Sequence, residues 1–335
     1  APDSAYAEES QSLIDALEHG ADGITHVTDD DSDESLFIQP VNFVTDWLKG
    51  PALTEQSFDD YQASAFSFSA DLGLQFNSNV ELAPISRQLS PFEDGSFQMF
   101  LAPDMEYAVI DNAYWRLATN FYGFFNFNES HLNSYNLEHY EPGVSLERYV
   151  LWHDLQLVPR FGYNYSYDAF QGQRFGVRHA VVGSLTALLD DGQSWLGYLQ
   201  VDQTNFDDDG LDPSITSLDG WSYTFGGSYA TELDSSFVEL FRTGVDFQLA
   251  DLDGSSYSYQ GVMLYVSAEV PVFWQCLAVI DLGWGYRDFP DFEFSPSRNE
   301  NIWHAGIDLE RPLSEHWSIT GTFEYDRFAS RNELF

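Results

Sequence analysis

Long stretches of the chain alternate between apolar and polar residues with a period of two. In AFSFSADLGLQFN, residues 65–77, phenylalanine, alanine or leucine occupies every second position, with small or polar residues between them. WSYTFGGSYATEL, residues 221–233, does the same with Trp221, Tyr223 and Phe225. Because successive side chains of a strand point to opposite faces, the pattern predicts strands that are apolar on one face and polar on the other.

The number and length of these segments predict the fold class. From residue 62 onward there are about 13 of them, most about 12 to 17 residues long. Strands of soluble sheets usually have five or six residues, whereas a tilted strand that spans a membrane needs roughly 9 to 11 within the hydrocarbon. We therefore expect an all-β fold, a transmembrane antiparallel up-and-down β-barrel, over residues 59–335. Closure with both termini on one side requires an even number of strands, so we expect about 14, the last of them beyond Phe335.

The connections between the predicted strands alternate in length. Long or polar connections are expected at residues 78–95, 128–134, 166–173, 205–220, 250–256 and 288–301, and short ones near 109–112, 148–149, 189–194, 231–236, 270–273 and 310–315. Outer-membrane barrels have short periplasmic turns and longer external loops. The first strand is therefore expected to run outward from the periplasm.

Aromatic residues recur close to the predicted strand ends. Those that we expect to form girdles at the two membrane surfaces are Trp195, Trp221, Phe237, Trp274 and Trp317. The alternative is that they are ordinary hydrophobic residues at strand ends.

Ionisable residues fall on the polar side of the alternation. The residues predicted to line the lumen are Asp71, Asp104, Glu106, Arg116, Asp154, Arg160, Arg178, Asp202, Arg242, Asp246, Glu269, Asp281, Arg287, Asp308 and Glu324. So many charges would be unfavourable in a dry core but not in a watery lumen, where an excess of acid favours cations. The alternative is that arginines and carboxylates pair between neighbouring strands and only brace the wall.

Composition excludes other classes of function. The chain has 13 basic and 54 acidic residues, a formal net charge of -41, so nucleic acid is not an expected partner. No apolar stretch is long enough for a membrane-spanning helix. Catalytic motifs are missing, the eight histidines are dispersed, and the single Cys276 lies in an apolar run. We expect no enzyme activity, no cofactor and no metal, and we interpret the acidic loop segments as solvated surface.

The first 58 residues have a different character. Residues 7–20 predict a short helix, residues 28–35 an acidic linker, and residues 37–51 an apolar segment that docks elsewhere. We interpret residues 1–58 as a periplasmic or lumen-docked acidic segment of a mature chain whose signal peptide has been removed.

Several short motifs support a family resemblance. The segment PLSEHWSITGTFEYDRF resembles the C-terminal region of many Gram-negative outer-membrane barrels. The segment GLQFNSNVELAP is similar to segments of barrels that follow tetratricopeptide repeats, most closely those of the surface lipoprotein assembly modulator family. The strand-internal prolines of LAPDMEY, YEPGVSL and LVPRFGY, which are Pro103, Pro142 and Pro159, are a second similarity to these barrels. The resemblance implies a 14-stranded barrel over roughly residues 62–330. That family carries a helical repeat domain before its barrel, which 58 residues cannot supply.

These observations predict a multi-pass protein of the Gram-negative outer membrane that works as a porin-like channel for passive diffusion of small solutes, leaning toward cations. Two alternatives stay open: an export or assembly barrel for lipoprotein or polysaccharide with periplasmic partners, and a non-conducting barrel that anchors a surface complex. The expected partner is the lipid bilayer, with lipopolysaccharide and proteins of the outer membrane or periplasm as further candidates. The three strand-internal prolines remove ladder donors, so we expect bulges or weak pairing around them.

Overall fold

The structure is a computed structural model that describes residues 65–77, 96–130, 132–153, 155–189, 192–207, 214, 217–233, 237–273, 276–292, 297–314 and 317–330. The predicted N-terminal segment and helix, Asp154 and Trp274 lie outside the described residues.

The described residues are almost entirely strand. The strands are β1 (Phe66–Asn77), β2 (Ser96–Asp111), β3 (Trp115–Phe127), β4 (Leu137–Arg148), β5 (Val150–Trp152), β6 (Leu155–Phe170), β7 (Gln173–Leu189), β8 (Gln193–Phe206), β9 (Gly220–Glu232), β10 (Leu240–Leu252), β11 (Tyr259–Pro271), β12 (Leu277–Asp288), β13 (Asn299–Ser314) and β14 (Trp317–Ser330). One 3-10 turn, Asn133–Tyr135, precedes β4. Apart from the three-residue β5, each strand has 12 to 17 residues, as the alternation predicts.

All of these strands belong to one antiparallel sheet. Each long strand between β1 and β14 pairs with the long strand before it and the long strand after it, and β5 continues the pairing of β6 beyond the end of β4. The prediction of an all-β, antiparallel up-and-down arrangement is confirmed. Within the described residues the sheet has two edges, β1 and β14, which both run in the same direction.

The register defines two faces that extend through every long strand. Directly paired residues share a face, so the pairs Ser69↔Asp104, Glu106↔Asn120 and Gly143↔Asn164 all belong to one side. We call this side the polar face. The opposite side, which we call the apolar face, carries Phe68 of β1 and Phe225 of β9.

Large apolar side chains of this sheet are exposed and many of its polar side chains are buried, the reverse of the pattern in a soluble domain. Large apolar side chains on the apolar face are exposed, among them Leu74 at 84% and Phe225 at 53%, whereas Gln98, Glu141 and Ser166 on the polar face are each only 1% exposed. No second layer of helix or sheet in the described ranges covers the polar face. Its side chains are therefore buried by one another, which requires the sheet to curve around that face.

We call the end of the sheet at which β1 begins the lower end and the other the upper end. The lower connections are residues 112–114, 149–154, 190–192, 233–239, 272–276 and 315–316, and the upper connections are residues 78–95, 128–136, 171–172, 207–219, 253–258 and 289–298. The predicted long connection at residues 166–173 is wrong, because β6 continues to Phe170. Gln171 and Gly172 form a two-residue turn with φ values of 50° and 72°, the combination of a type I′ hairpin.

The three prolines interrupt pairing without shifting the register. Pairing of β2 with β3 is missing at residues 102–103, and pairing of β4 with β6 is missing at residues 141–142, while the pairs on both sides keep one register. Pro159 lies where β6 changes partner from β4 to β5. Weak pairing is therefore present but bulges at the prolines are not. The register shifts lie elsewhere, for example between Ala108 and Ile110.

Candidate functional site on the polar face

The register brings the predicted ionisable residues to one side of the sheet. All of those predicted to line a lumen, apart from Asp154, lie on the polar face: Asp71, Asp104, Glu106, Arg116, Arg160, Arg178, Asp202, Arg242, Asp246, Glu269, Asp281, Arg287, Asp308 and Glu324. They are spread over most strands and do not form one compact cluster.

Most arginines of the polar face form ion pairs with a glutamate of a nearby strand. Arg116 pairs with Glu106, Arg160 with Glu147 at 3.2 Å, Arg178 with Glu141 at 3.0 Å and Arg242 with Glu269 at 2.9 Å. The fifth predicted arginine, Arg287, donates to Gln248 at 3.4 Å and stacks on Tyr259 at 4.6 Å from the ring centroid. These four ion pairs fit the alternative in which arginines and carboxylates of nearby strands pair with one another.

Glu141, only 1% exposed, is the centre of a group of polar and charged side chains. Its carboxylate accepts hydrogen bonds from Asn164 Nδ2 at 2.8 Å, Ser166 Oγ at 2.5 Å and Arg178 Nη2 at 3.0 Å. A buried carboxylate is tolerated when an opposite charge and several donors compensate for its lost hydration. Glu141 ties β4, β6 and β7 together on the polar face.

His139 extends this group toward the upper end. Its Nδ1 lies 2.7 Å from Asp168 Oδ1, and its Nε2 lies 3.7 Å from Glu141 Oε2. Sequence reasoning did not select Glu141, Glu147 or Asp168. The signal that could have found the two glutamates is the alternation in residues 137–148, where His139, Glu141 and Glu147 occupy the polar register on either side of Pro142. For Asp168 the signal is the alternation in β6, where it follows Ser166 on the polar register.

Two buried aspartates are held in a different way. Gln200 Nε2 donates to both carboxylate oxygens of Asp202 at 2.9 Å, with Ser222 Oγ at 3.5 Å, and Tyr198 OH donates to Asp246 at 2.5 Å. The hydrogen bonds to these two carboxylates thus come from neutral side chains, which stabilise a negative charge without cancelling it.

Glycines on the polar face make room for large polar-face side chains. A Cβ at Gly226 would lie 2.3 Å from Asp246 Oδ1 and 2.8 Å from Tyr198 OH, and a Cβ at Gly244 would lie 2.2 Å from Cζ of Tyr265. The side chains of Asp246 and Tyr198 therefore lie over Gly226, and the ring of Tyr265 lies over Gly244. This explains why residues 221–233 carry almost nothing but small residues on their polar face.

Aromatic side chains mark two levels on the apolar face. Trp195 of β8 packs against Tyr229 of β9 with ring centroids 4.9 Å apart, close to the lower end. Trp221 pairs with Gln203, which follows Trp195 by eight residues, so the two levels are about 27 Å apart along the strand. Between them β8 carries only Gly197, Leu199 and Val201 on this face.

Two further predicted girdle residues that the structure describes, Phe237 and Trp317, are also exposed. Phe237 lies before β10 at 78% exposure and Trp317 begins β14 at 74%. Both lie at the lower end of the sheet, Phe237 before the start of β10 and Trp317 as the first residue of β14.

The upper connections form a network that the sequence did not indicate. Asp219 accepts hydrogen bonds from the backbone of Phe206 and from the side chain of Asn205, which joins the upper ends of β8 and β9. Arg298, 4% exposed, binds Glu300 at 2.6 Å and donates to the backbone carbonyl of Ser256 at 3.1 Å, which joins two neighbouring loops. The charge of Arg298 is also covered by Phe289, 4.0 Å from its ring centroid.

No group of three or more His, Cys, Asp or Glu side chains among the described residues could hold a metal ion. The described part of the chain also contains no helix that is long and apolar enough to cross a membrane. Comparison with known proteins adds no identity, since no protein-family model matches the chain and no curated protein is significantly similar to it in sequence.

Proposed function

We propose that this chain forms the wall of a β-barrel in the outer membrane of a Gram-negative bacterium and acts as a passive channel that favours small cations. The proposal rests on one observation: the sheet exposes its apolar face and buries its polar face. Soluble monomers rarely expose a contiguous apolar patch larger than a few hundred Å², whereas a barrel wall in lipid exposes one on every strand.

The two aromatic levels on β8 and β9 support the membrane part of the proposal. Lipid-facing bands of outer-membrane barrels are about 25 Å tall and are bordered by aromatic residues. The separation of about 27 Å along the strand between Trp195 and the position opposite Trp221 becomes about 19–22 Å along the membrane normal at a tilt of 35–45°, a little less than the height of such a band.

The charge distribution supports the cation preference. Four arginines of the polar face are neutralised by glutamates, and the carboxylates of Asp202 and Asp246 are held by neutral donors. The polar face therefore carries an excess of negative charge, which lowers the barrier for cations and raises it for anions. No catalytic residue is needed for this mechanism.

Cysteine scanning of β9 tests the membrane part. In a Cys276→Ser background reconstituted into lipid vesicles, Tyr223→Cys and Phe225→Cys should be protected from a membrane-impermeant thiol reagent but should react with a lipid-soluble one. Ser222→Cys and Thr224→Cys should react with the impermeant reagent. Equal reactivity of all four cysteines toward the impermeant reagent would refute the proposed wall.

A further inference from the structure

Trp115 and Arg148 form a cation–π pair at the lower end of the apolar face. They are direct partners in the register of β3 and β4, and the guanidinium carbon lies 5.0 Å from the indole centroid. Trp115 is 39% exposed and Arg148 is also exposed. The pair is therefore an outward-facing feature of the sheet.

Two lower turns hold this pair in place. Asn112 Oδ1 accepts hydrogen bonds from the backbone N–H groups of Tyr114 and Trp115 at 3.0 Å, and Tyr149 N–H donates to the carbonyl of Tyr114 at 2.9 Å. The same turns present two further exposed rings, Tyr114 at 70% and Trp152 at 62%. Trp115 is thus the ring that contacts Arg148, and Tyr114 and Trp152 add exposed rings at the same end of the sheet.

Arg148 has no carboxylate beside it on the apolar face among the described residues of β3 and β4. Leu146 precedes it on that face, and the neighbouring carboxylate, Glu147, points to the polar face and binds Arg160 at 3.2 Å. An outward arginine in a barrel is strongly unfavourable at the bilayer midplane and nearly neutral near the interface. Arg148 therefore fits the level of the lipid headgroups, where phosphate supplies a counter-charge.

We propose that Arg148, stacked on Trp115, binds the phosphate group of a phospholipid at the lower surface of the membrane. This inference rests on the membrane location given under Proposed function. Arg148 donates charge-assisted hydrogen bonds to the phosphate oxygens, and stacking on the indole keeps the planar guanidinium oriented. Tyr114 and Trp152 pack against the glycerol and the first acyl carbons, as aromatic rings do at membrane surfaces.

Lipid binding to the full chain in detergent micelles tests the site, with native mass spectrometry as the readout. The probes are phosphatidylglycerol and a glucosyl diacylglycerol that has the same acyl chains but no phosphate. Arg148→Gln should bind phosphatidylglycerol about tenfold more weakly than the unmodified chain, the loss expected for one hydrogen bond to a charged group. Binding of the glucosyl lipid should stay unchanged.

Arg242→Gln is the matched control, because Arg242 also lies near the lower end but on the polar face, where it binds Glu269. It should bind phosphatidylglycerol as the unmodified chain does, and Arg148→Lys should fall between the unmodified chain and Arg148→Gln. Equal affinity of Arg148→Gln and the unmodified chain would overturn the proposal, as would an equal loss for both lipids. Failure of the unmodified chain to insert into a bilayer would instead refute the membrane location, since the micelle assay does not depend on insertion.

Discussion

Arg178 of β7 donates a hydrogen bond to Glu141 of β4, a strand that is two positions away in the sheet. The ion pair therefore crosses over β6, and Ser166 of that strand donates to the same carboxylate oxygen. Neighbouring strands are about 4.8 Å apart, so the two side chains must lie along the surface of the polar face to meet. At this level the charged side chains of the polar face lie parallel to the sheet.

Removing one member of this pair should destabilise the fold more than removing both. Glu141→Leu leaves the partly buried Arg178 guanidinium without its main counter-charge, and we expect a loss of about 3 kcal/mol in the free energy of unfolding, the lower end of the range for buried pairs. The double variant Glu141→Leu with Arg178→Leu should lose much less. Urea unfolding in detergent measures both. A double variant as unstable as the single one would contradict this account.

Gly226 should not tolerate a methyl group. Gly226→Ala places Cβ against Asp246 Oδ1 and Tyr198 OH and should cost about 1–3 kcal/mol of unfolding free energy. Gly197→Ala is the matched control, because a Cβ there meets nothing within 4 Å. Urea unfolding of the two variants checks the prediction, and equal stabilities would argue against the tight packing of Tyr198 over β9.

The carboxylates of Asp202 and Asp246 should contribute to ion selectivity. Asp202→Asn and Asp246→Asn each remove a carboxylate whose hydrogen bonds come from neutral side chains, and we expect each to lower the cation-to-anion permeability ratio by about half. Asp251→Asn is the control, because Asp251 pairs with Trp221 on the apolar face. Single-channel reversal potentials measure the ratio. A larger effect of Asp251→Asn than of the other two would contradict the assignment of the faces.

The gaps in the ladder at the prolines should show in amide exchange. Residues 123–124 and 165–166 lie opposite the unpaired residues 102–103 and 141–142. In each pair of residues, the amide that points toward the gap should exchange at least about tenfold faster than the amides of residues 181–182, which are paired on both sides. Hydrogen exchange followed by mass spectrometry in lipid nanodiscs measures the difference, and uniform protection would rule out weak pairing there.

The sequence predicts the strands and their two faces because apolar and polar residues alternate over 12 to 17 consecutive residues. Such a pattern can be recognised without knowing which strands are neighbours. It fails at residues 166–173, where Ser166 and Asp168 resemble a polar loop although they are the polar-face residues of β6. The Gln171–Gly172 pair is the turn signal that was available. The contacts of Glu141 could not be predicted, because the lateral reach of a side chain across β6 depends on the curvature of the sheet.

Ion selectivity in a planar lipid bilayer tests the proposed function most directly. The purified full chain is added to one side of the bilayer under a tenfold gradient of KCl, and the reversal potential is recorded from steady currents. We predict a lasting open conductance whose reversal potential has the sign of K⁺ preference, because the unneutralised carboxylates of the polar face attract cations. An inserted protein that carries no current, or one that prefers Cl⁻, would contradict the account.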